Sequence, residues 1–341
     1  MALIEHDLFG NVRDKVMGAV ETVRCFCPPE GFYLAYSGGK DSVVAKKILD
    51  IAGVPYDTHY NMTTVDPVQL VRFIISQFDA VIYDYQDGTQ KHFVVKNGRL
   101  QCGDITTNNV IHFSIPRIPM RKLIVEHKIP PTRKVRYCCE ELKEVSGDGR
   151  VVVTGVRAAE SRNRKQNQGR VVFPDGNVEM VAQENGAGFF VNRVGGVVLN
   201  YDDAASRRTV EQCYRTHKTL VNPIIDFTEE DVWEFIKAYS LPYCSLYDEG
   251  FKRLGCVGCP LGGYASQKRE LQRWPQYRKM YVSAFDEMLQ ARIDDGKSNP
   301  SIWTSGEKTM RWWVGDLTKS NPDQMSIDDF ELIQDELGGE L

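Results

Sequence analysis

Between residues 31 and 52 the hydrophobic rhythm of the chain changes within six positions. Gly31-Phe32-Tyr33-Leu34-Ala35-Tyr36 is an apolar run of strand length, and Val43-Val44-Ala45-Lys46-Lys47-Ile48-Leu49 is apolar at helical spacing. Ser37-Gly38-Gly39-Lys40-Asp41-Ser42 lies between them, so the stretch reads strand, glycine turn, helix. Pro55 to Met62 alternates as a second strand through Tyr56, Thr58, Tyr60 and Met62. At its end Asp66 is placed to cap a helix that starts at Pro67 and carries Val68, Val71, Ile74, Ile75 and Phe78 on one face. Val151-Val152-Val153-Thr154 is apolar throughout, as a central parallel strand should be. This order predicts an α/β fold: a parallel twisted sheet with helices on both faces and right-handed crossovers. Ligands of such sheets bind at the carboxyl ends of strands, which turns the Ser37 loop and Thr63–Asp66 toward one ligand.

The remaining pattern is more broken. Residues 11–24 read as a helix ending before Pro28-Pro29, with Cys25 and Cys27 expected to be buried. Residues 79–113 are irregular and read as an insertion, with an Asn97-Gly98 hairpin over Phe93 to Leu100. Met120 to His127 is a short helix. Residues 166–210, rich in Gly, Asn, Val and Asp, read as a β-rich insertion or flap. Thr228 and Asp231 form a capping-box variant ahead of Val232, Phe235 and Ile236. Tyr277 to Arg292 and Gly306 to Val314 are helical, and the acidic last twenty residues suit one loose helix. The expected organisation is a domain over 1–265, with insertions near 80–113 and 166–210, followed by a helical extension over 266–341.

Composition adds bounds. The 341 residues are 42% hydrophobic and 26% charged, ordinary for a globular chain. A net charge of −4 offers no global argument for nucleic acid or membrane binding, and no apolar run reaches the roughly 20 residues needed to span a bilayer. The polar, mixed-charge segment from Met1 to Asp14 does not read as a signal peptide. Nine cysteines, an odd number, point to a reduced cytoplasmic setting with metal or catalytic use of thiols rather than a disulfide framework.

The chemistry concentrates in two places. In the Ser37–Ser42 turn the glycines allow a ligand close to the main chain, the helix start offers N–H groups to an anion, Lys40 adds a full charge, and Ser37 and Ser42 add hydroxyls. The plain alternative is a strand-to-helix turn capped by Asp or Ser. Arg157, with Arg162 and Arg164 behind it, follows the Val151 strand and reads either as another wall of an anion site or as a solvated basic loop. The second place is sulfur-rich. Cys256-Val257-Gly258-Cys259 is a tight loop that turns two thiolates toward one metal or cluster, or serves as a redox dithiol. Adjacent Cys138 and Cys139 seldom both ligate one mononuclear metal, whereas a cubane cluster is large enough to accept both. A zinc site on the same four cysteines is the alternative.

Taken in order, the Ser-Gly-Gly-x-Asp-Ser loop, Tyr137-Cys138-Cys139, Gly155-x-Arg157, Asn222-Pro223-Ile224, Asp231-Val232-Trp233, Leu241-Pro242-Tyr243 and Gly255-Cys256 to Cys259 resemble the phosphoadenylyl-sulfate reductase family. That family lies within the PP-loop adenine-nucleotide α-hydrolase superfamily, and the resemblance runs from about residue 30 to 262. It implies a HUP-like fold, a [4Fe-4S] cluster on Cys138, Cys139, Cys256 and Cys259, and a nucleotide held by Ser37, Gly38, Gly39, Lys40, Asp41, Ser42, Thr63, Arg157 and Arg164. Lys40, Asp41 and Arg157 take the catalytic roles, Asp41 toward Mg²⁺. The family's reductases carry a nucleophilic cysteine near the C-terminus; here the last cysteine is Cys259. The resemblance is therefore nearest to members without that thiol, such as the DNA phosphorothioation sulfur-transfer ATPase. It implies cleavage of ATP to AMP and pyrophosphate, a nucleic-acid or small-molecule sulfur acceptor, a sulfur-donor protein and no membrane partner. Sulfonucleotide reduction to sulfite and a non-catalytic nucleotide or redox sensor are the alternatives.

Overall fold

The computed structural model describes residues 3–6, 12–143, 146–160, 170–173, 189–191, 197–199, 210–212 and 218–316. In chain order the strands are β1 (Ile4–His6), β2 (Val12–Asp14), β3 (Phe32–Ala35), β4 (Tyr56–Asn61), β5 (Ala80–Tyr85), β6 (Gln90–Lys96), β7 (Arg99–Cys102), β8 (Val110–Ile115), β9 (Val151–Val153), β10 (Val171–Phe173), β11 (Phe189–Val191), β12 (Val197–Leu199), β13 (Val210–Gln212) and β14 (Thr219–Val221). The helices are α1 (Lys15–Cys25), α2 (Lys40–Ala52), α3 (Val68–Ser76), α4 (Met120–His127), α5 (Tyr137–Leu142), α6 (Glu229–Ala238), α7 (Tyr264–Arg273), α8 (Pro275–Asp294) and α9 (Gly306–Trp313). The chain forms two compact units. The first holds residues 1–61, 68–115 and 145–254; the second holds 62–67, 116–144 and 255–341. These units cut the chain differently from the expected boundary near 265, because residues 116–144 pack with the helices that follow 255 rather than with the sheet.

All the strands belong to the first unit. Its main sheet runs β13-β10-β14-β9-β3-β4-β8-β5-β6-β7. The stretch β14-β9-β3-β4-β8-β5 is parallel throughout, while β6, β7 and the β10–β14 pairing are antiparallel. The sheet is therefore mixed and mostly parallel. The segment 79–113, read from sequence as an insertion, supplies two parallel strands: β5 and β8 pair along their full length, Ala80 opposite Val110 to Tyr85 opposite Ile115. Only the β6–β7 hairpin is peripheral. Its turn is the expected Asn97-Gly98, with positive φ at both residues, the geometry that favours this dipeptide. Of the 166–210 segment, Arg170 and Val171 are buried and β10 joins the sheet, so its start is core; most of the rest lies outside the described residues.

The strand β3 has β4 on one side and β9 on the other, and the connections leave it in both directions. That reversal makes the carboxyl ends of β3 and β9 the switch point, the place at which open α/β sheets bind ligands. Helix α2 buries Val44, Ala45, Ile48 and Leu49 and stops at Gly53, which adopts the left-handed conformation. Helix α6 begins with the expected capping box: Thr228 Oγ1 accepts from Asp231 N, and Asp231 accepts from Thr228 N. Helix α1 starts at Lys15 because Asp14 accepts from the amides of Val16 and Met17, and β2 occupies the preceding residues that the periodicity assigned to helix. Cys25 and Cys27, expected to be buried, are half-buried at its end.

The second unit is helical. Its core is Tyr281, Phe285, Trp303 and Trp313, and the Trp313 indole donates to Pro131 O at 2.6 Å. Pro275 occupies the first turn of α8, where its missing N–H is no loss. Among the described residues no helix is long and apolar enough to cross a membrane. The acidic C-terminal stretch lies outside the described residues.

Candidate nucleotide and cysteine sites

The loop between β3 and α2 is shaped by close contacts. Gly38 has φ +70°, and a Cβ there would lie 2.5 Å from Ile74 Cγ1 and 3.0 Å from Leu70 Cδ1. Only glycine satisfies both the backbone angle and the packing of α3. Gly155, just past β9, is forced by main chain: a Cβ would sit 2.7 Å from the carbonyl carbon of Asp41 and 2.9 Å from the amide nitrogen of Ser42. The end of β9 thus rests directly on the first turn of α2. Two loop amides face hydroxyl oxygens: Lys40 N donates to Tyr247 Oη at 2.9 Å, and Gly39 N to Ser37 Oγ at 3.3 Å. Ser42 donates to Gly39 O at 2.8 Å and closes the turn.

Two cations meet at this loop. Arg157 is 3% exposed; its Nε donates to Asp41 Oδ1 at 2.6 Å and its Nη2 to Glu229 Oε2 at 2.8 Å. Lys40, also 3% exposed, places Nζ 3.4 Å from both Asp41 Oδ2 and Glu229 Oε1, 3.3 Å from Lys252 O, and over the Tyr247 ring at 5.4 Å. Lys40, the full charge of the glycine turn, is thus buried and paired. Asp41 and Glu229 together neutralise the two cations, which is what permits their burial. Burial acts to raise the Glu229 carboxyl, but Lys40 and Arg157 outweigh it and hold it below its ordinary range. Burial pushes the Tyr247 phenol well up, so it is a neutral hydroxyl.

Ser37, Gly38, Gly39, Lys40, Asp41, Ser42 and Arg157 are brought together as the motif reading placed them. Arg164 lies outside the described residues. Thr63 belongs to the second unit, where its amide and hydroxyl both donate to Asp66 at 2.7 Å; the carboxylate expected to cap α3 is turned back onto Thr63. Both oxygens of Asp41 face cations, Oδ1 toward Arg157 and Oδ2 toward Lys40. Glu229 and Tyr247 were missed by sequence reasoning. Glu229 stands first in a capped helix and Tyr247 in a short 3₁₀ turn.

The four cysteines all lie in the second unit. Cys138 and Cys139 sit on α5, and Cys256 and Cys259 flank a turn in which Cys259 N donates to Cys256 O at 3.2 Å and Gly258 has φ +77°. That turn is anchored on several sides. Gly258 N donates to Glu270 at 2.7 Å, Gln267 donates to Gly258 O at 3.0 Å, and Tyr281 donates to Val257 O at 3.0 Å. The elements also share one electrostatic environment. The Cys138 thiol is pushed up, first by its hydrogen bond with Cys139, while Cys139 is lowered by that bond and by Arg136 and Lys143. Burial pushes Cys256 up, against Lys143 and the Thr63 hydroxyl. The Lys143 ammonium is held above its ordinary range by Cys256 first, and by Cys259 and Cys139. Among the described residues, no three of these sulfurs lie within 4.8 Å of one another, whereas zinc–sulfur bonds of about 2.3 Å would hold four sulfurs ~3.8 Å apart. The donor set is four cysteine sulfurs, with the Lys143 cation beside them.

A strand–glycine turn–helix at the switch point of a mostly parallel sheet, lined by a buried lysine and arginine, defines an α/β protein with two paired cations at its glycine loop. The sequence profile of the phosphoadenosine phosphosulfate reductase domain matches residues 31–261, and the chain belongs to that family. Curated relatives match over shorter stretches. Adenosine 5'-phosphosulfate reductase of Staphylococcus haemolyticus is 31% identical over 75 residues, 22% of this chain and 31% of the relative. The enzyme of the same name from Neisseria meningitidis serogroup A is 42% identical over 53 residues, 16% of this chain and 22% of the relative. The chain thus spans less than a third of the length of either. Among solved structures, phosphoadenylyl-sulfate reductase from Candida auris in a phosphate complex aligns with TM-score 0.34 at 12% identity, covering 70% of this chain and 88% of that one. FMN adenylyltransferase from Candida glabrata aligns with TM-score 0.35 at 11% identity, covering 94% and 79%.

Proposed function

We propose that the protein cleaves ATP to AMP and pyrophosphate and uses the AMP to activate a substrate for sulfur insertion. The observation that carries this reading is the pairing of Lys40 and Arg157, two buried cations beside the glycine loop, each held by the same two carboxylates. Two fixed positive charges next to loop amides that are held only by the Tyr247 and Ser37 hydroxyls suit a ligand with several adjacent phosphates. An incoming phosphate chain supplies the acceptor oxygens that Glu229 and the Tyr247 and Ser37 hydroxyls now provide. Glu229 is the partner able to give way, since its side chain is 48% exposed.

In the proposed reaction an oxygen of the substrate attacks the α-phosphorus of ATP, the bond to the α–β bridging oxygen breaks, and pyrophosphate leaves with that electron pair. Lys40 and the amides of Gly39 and Lys40 neutralise charge growing on the leaving group, and Arg157 holds a phosphate oxygen in line. A sulfur nucleophile from the donor then displaces AMP from the activated substrate. Cys138, Cys139, Cys256 and Cys259 would hold a [4Fe-4S] cluster, which would supply a sulfur- or electron-handling centre at α5 and the Cys256–Cys259 turn. Lys143 and Thr63 would sit beside its thiolates and orient them.

The second reading, reduction of a sulfonucleotide to sulfite, is favoured by the names of the curated relatives. One anaerobic assay separates the two: pyrophosphate and AMP release from ATP against sulfite release from adenylyl sulfate and phosphoadenylyl sulfate. Pyrophosphate release that disappears in Lys40→Met, with the thermal midpoint checked in parallel, supports the first. Robust sulfite without pyrophosphate overturns it.

A further inference from the structure

On β4, the neighbour of β3, and on β8 and β5 beyond it, the sheet carries polar residues on one face where a parallel sheet is normally apolar; His59 stands opposite Ala35. His59 on β4 and His112 on β8 are directly opposed in register, with ring centroids 4.7 Å apart. Asp84 on β5, diagonal to them, places Oδ2 2.9 Å from His112 Nδ1. One ligand atom from each of His59, Asp84 and His112 lies within 4.8 Å of the other two, and among the described residues this is the one such set of three or more.

We propose that His59, His112 and Asp84 form a mononuclear site for a divalent transition metal of the Zn²⁺ type. Two imidazoles and one carboxylate are the donors such ions prefer over Mg²⁺ or Ca²⁺. The surroundings are built as a metal site requires. His59 spends Nε2 on Asp57, leaving Nδ1 as the ligand, and Asp57 is itself held by Arg150 at 2.7 Å. That carboxylate–histidine pairing fixes the ring and its tautomer. Tyr33 stacks on the other face of His59, centroids 3.8 Å apart, and prevents the ring from turning away. All three ligands are partly exposed, and a cavity of about 350 Å³ lined by Asp57 and His112 opens beside them, giving an entry path. Three protein ligands leave coordination positions free, the arrangement of sites that bind water or substrate rather than closed structural ones. The three ligands come from adjacent paired strands, β4, β8 and β5, which fix the spacing of their backbones.

Co²⁺ tests the site in the full chain, because its spectrum distinguishes nitrogen and oxygen ligands from the thiolates of the four cysteines. The expected result is one Co²⁺ per chain with visible d–d bands, no thiolate-to-cobalt charge transfer in the near ultraviolet, and displacement by Zn²⁺. His112→Gln and Asp84→Asn should abolish that signal while leaving the circular dichroism spectrum unchanged. Asp57→Asn, which removes only the carboxylate behind His59, should weaken binding about tenfold. Bound Co²⁺ that shows only thiolate charge transfer, or non-thiolate binding that survives His112→Gln and Asp84→Asn alike, would overturn the site. So would the absence of any Co²⁺ or Zn²⁺ binding at excess metal, which would leave the trio as a hydrogen-bonded polar cluster.

Discussion

Arg157 donates from Nε to Asp41 at 2.6 Å, and so ties the end of β9 to the first turn of α2. The same guanidinium reaches Glu229 at the start of α6. One planar side chain therefore fixes the relative positions of three elements around the glycine loop.

A lysine cannot make that bridge, because it offers a point charge rather than a fork. Arg157→Lys is expected to lower unfolding stability by about 2 kcal/mol and to weaken ATP binding. Urea denaturation and nucleotide titration check the two effects separately, and an unchanged urea midpoint would show that the bridge contributes nothing.

Glu229 competes with a bound phosphate for Lys40 and Arg157. In Glu229→Gln the ATP dissociation constant should fall by about fivefold, about 1 kcal/mol, with turnover changed far less than in Lys40→Met. Calorimetric titration with ATP measures it. Weaker binding in Glu229→Gln would mean that the carboxylate orients the two cations instead of competing for them.

Gly155→Ala brings a methyl group against the main chain of Asp41 and Ser42, which cannot move without distorting the loop. A loss of about 1–3 kcal/mol is expected, together with loss of nucleotide binding. Gly149→Ala serves as the comparison for crowding: its Cβ meets nothing within 4 Å, though its φ of +72° carries backbone strain of its own. Nucleotide binding, unlike stability, should survive there.

The Asp231 carboxyl is raised by burial but lowered more by Lys15, at 2.6 Å, and by its place in the α6 capping box, so it lies below its ordinary 3.8. A folded pKa below the unfolded one gives stability that is present above the unfolded value and lost as pH falls through the folded value. The urea midpoint should therefore drop as pH is taken from about 5 to about 3, and Asp231→Asn should flatten that fall. At neutral pH Thr228→Ala should cost about 1 kcal/mol through the lost cap.

Protein prepared without oxygen should contain iron and acid-labile sulfide, with a broad visible absorption. Cys139→Ser and Cys256→Ser should each remove most of both. Stoichiometric zinc with no sulfide would refute the cluster and would require the four sulfurs to move closer together than they stand.

The local elements of the loop were legible in the sequence because each is a short-range decision. Phe32–Ala35 is a buried strand, Gly38 adopts a positive φ, Lys40 opens a helix with an apolar face, and Asn97-Gly98 makes a hairpin; all depend on a few neighbouring residues. The pairing of Thr228 with Asp231 belongs to the same class. Tertiary structure alone decided the rest. Segment 79–113 looked accessory because β5 and β8 are interrupted by a hairpin, and only their mutual ladder makes them central strands. The burial of Lys40 depends on Asp41 and on Glu229, 189 positions later in the chain than the lysine. Glu229 and the His59–Asp84–His112 trio have no local signature, because no spacing along a chain encodes which elements will lie side by side. Charges and metal ligands act through space over a few ångströms, and only the folded sheet brings those residues within that range.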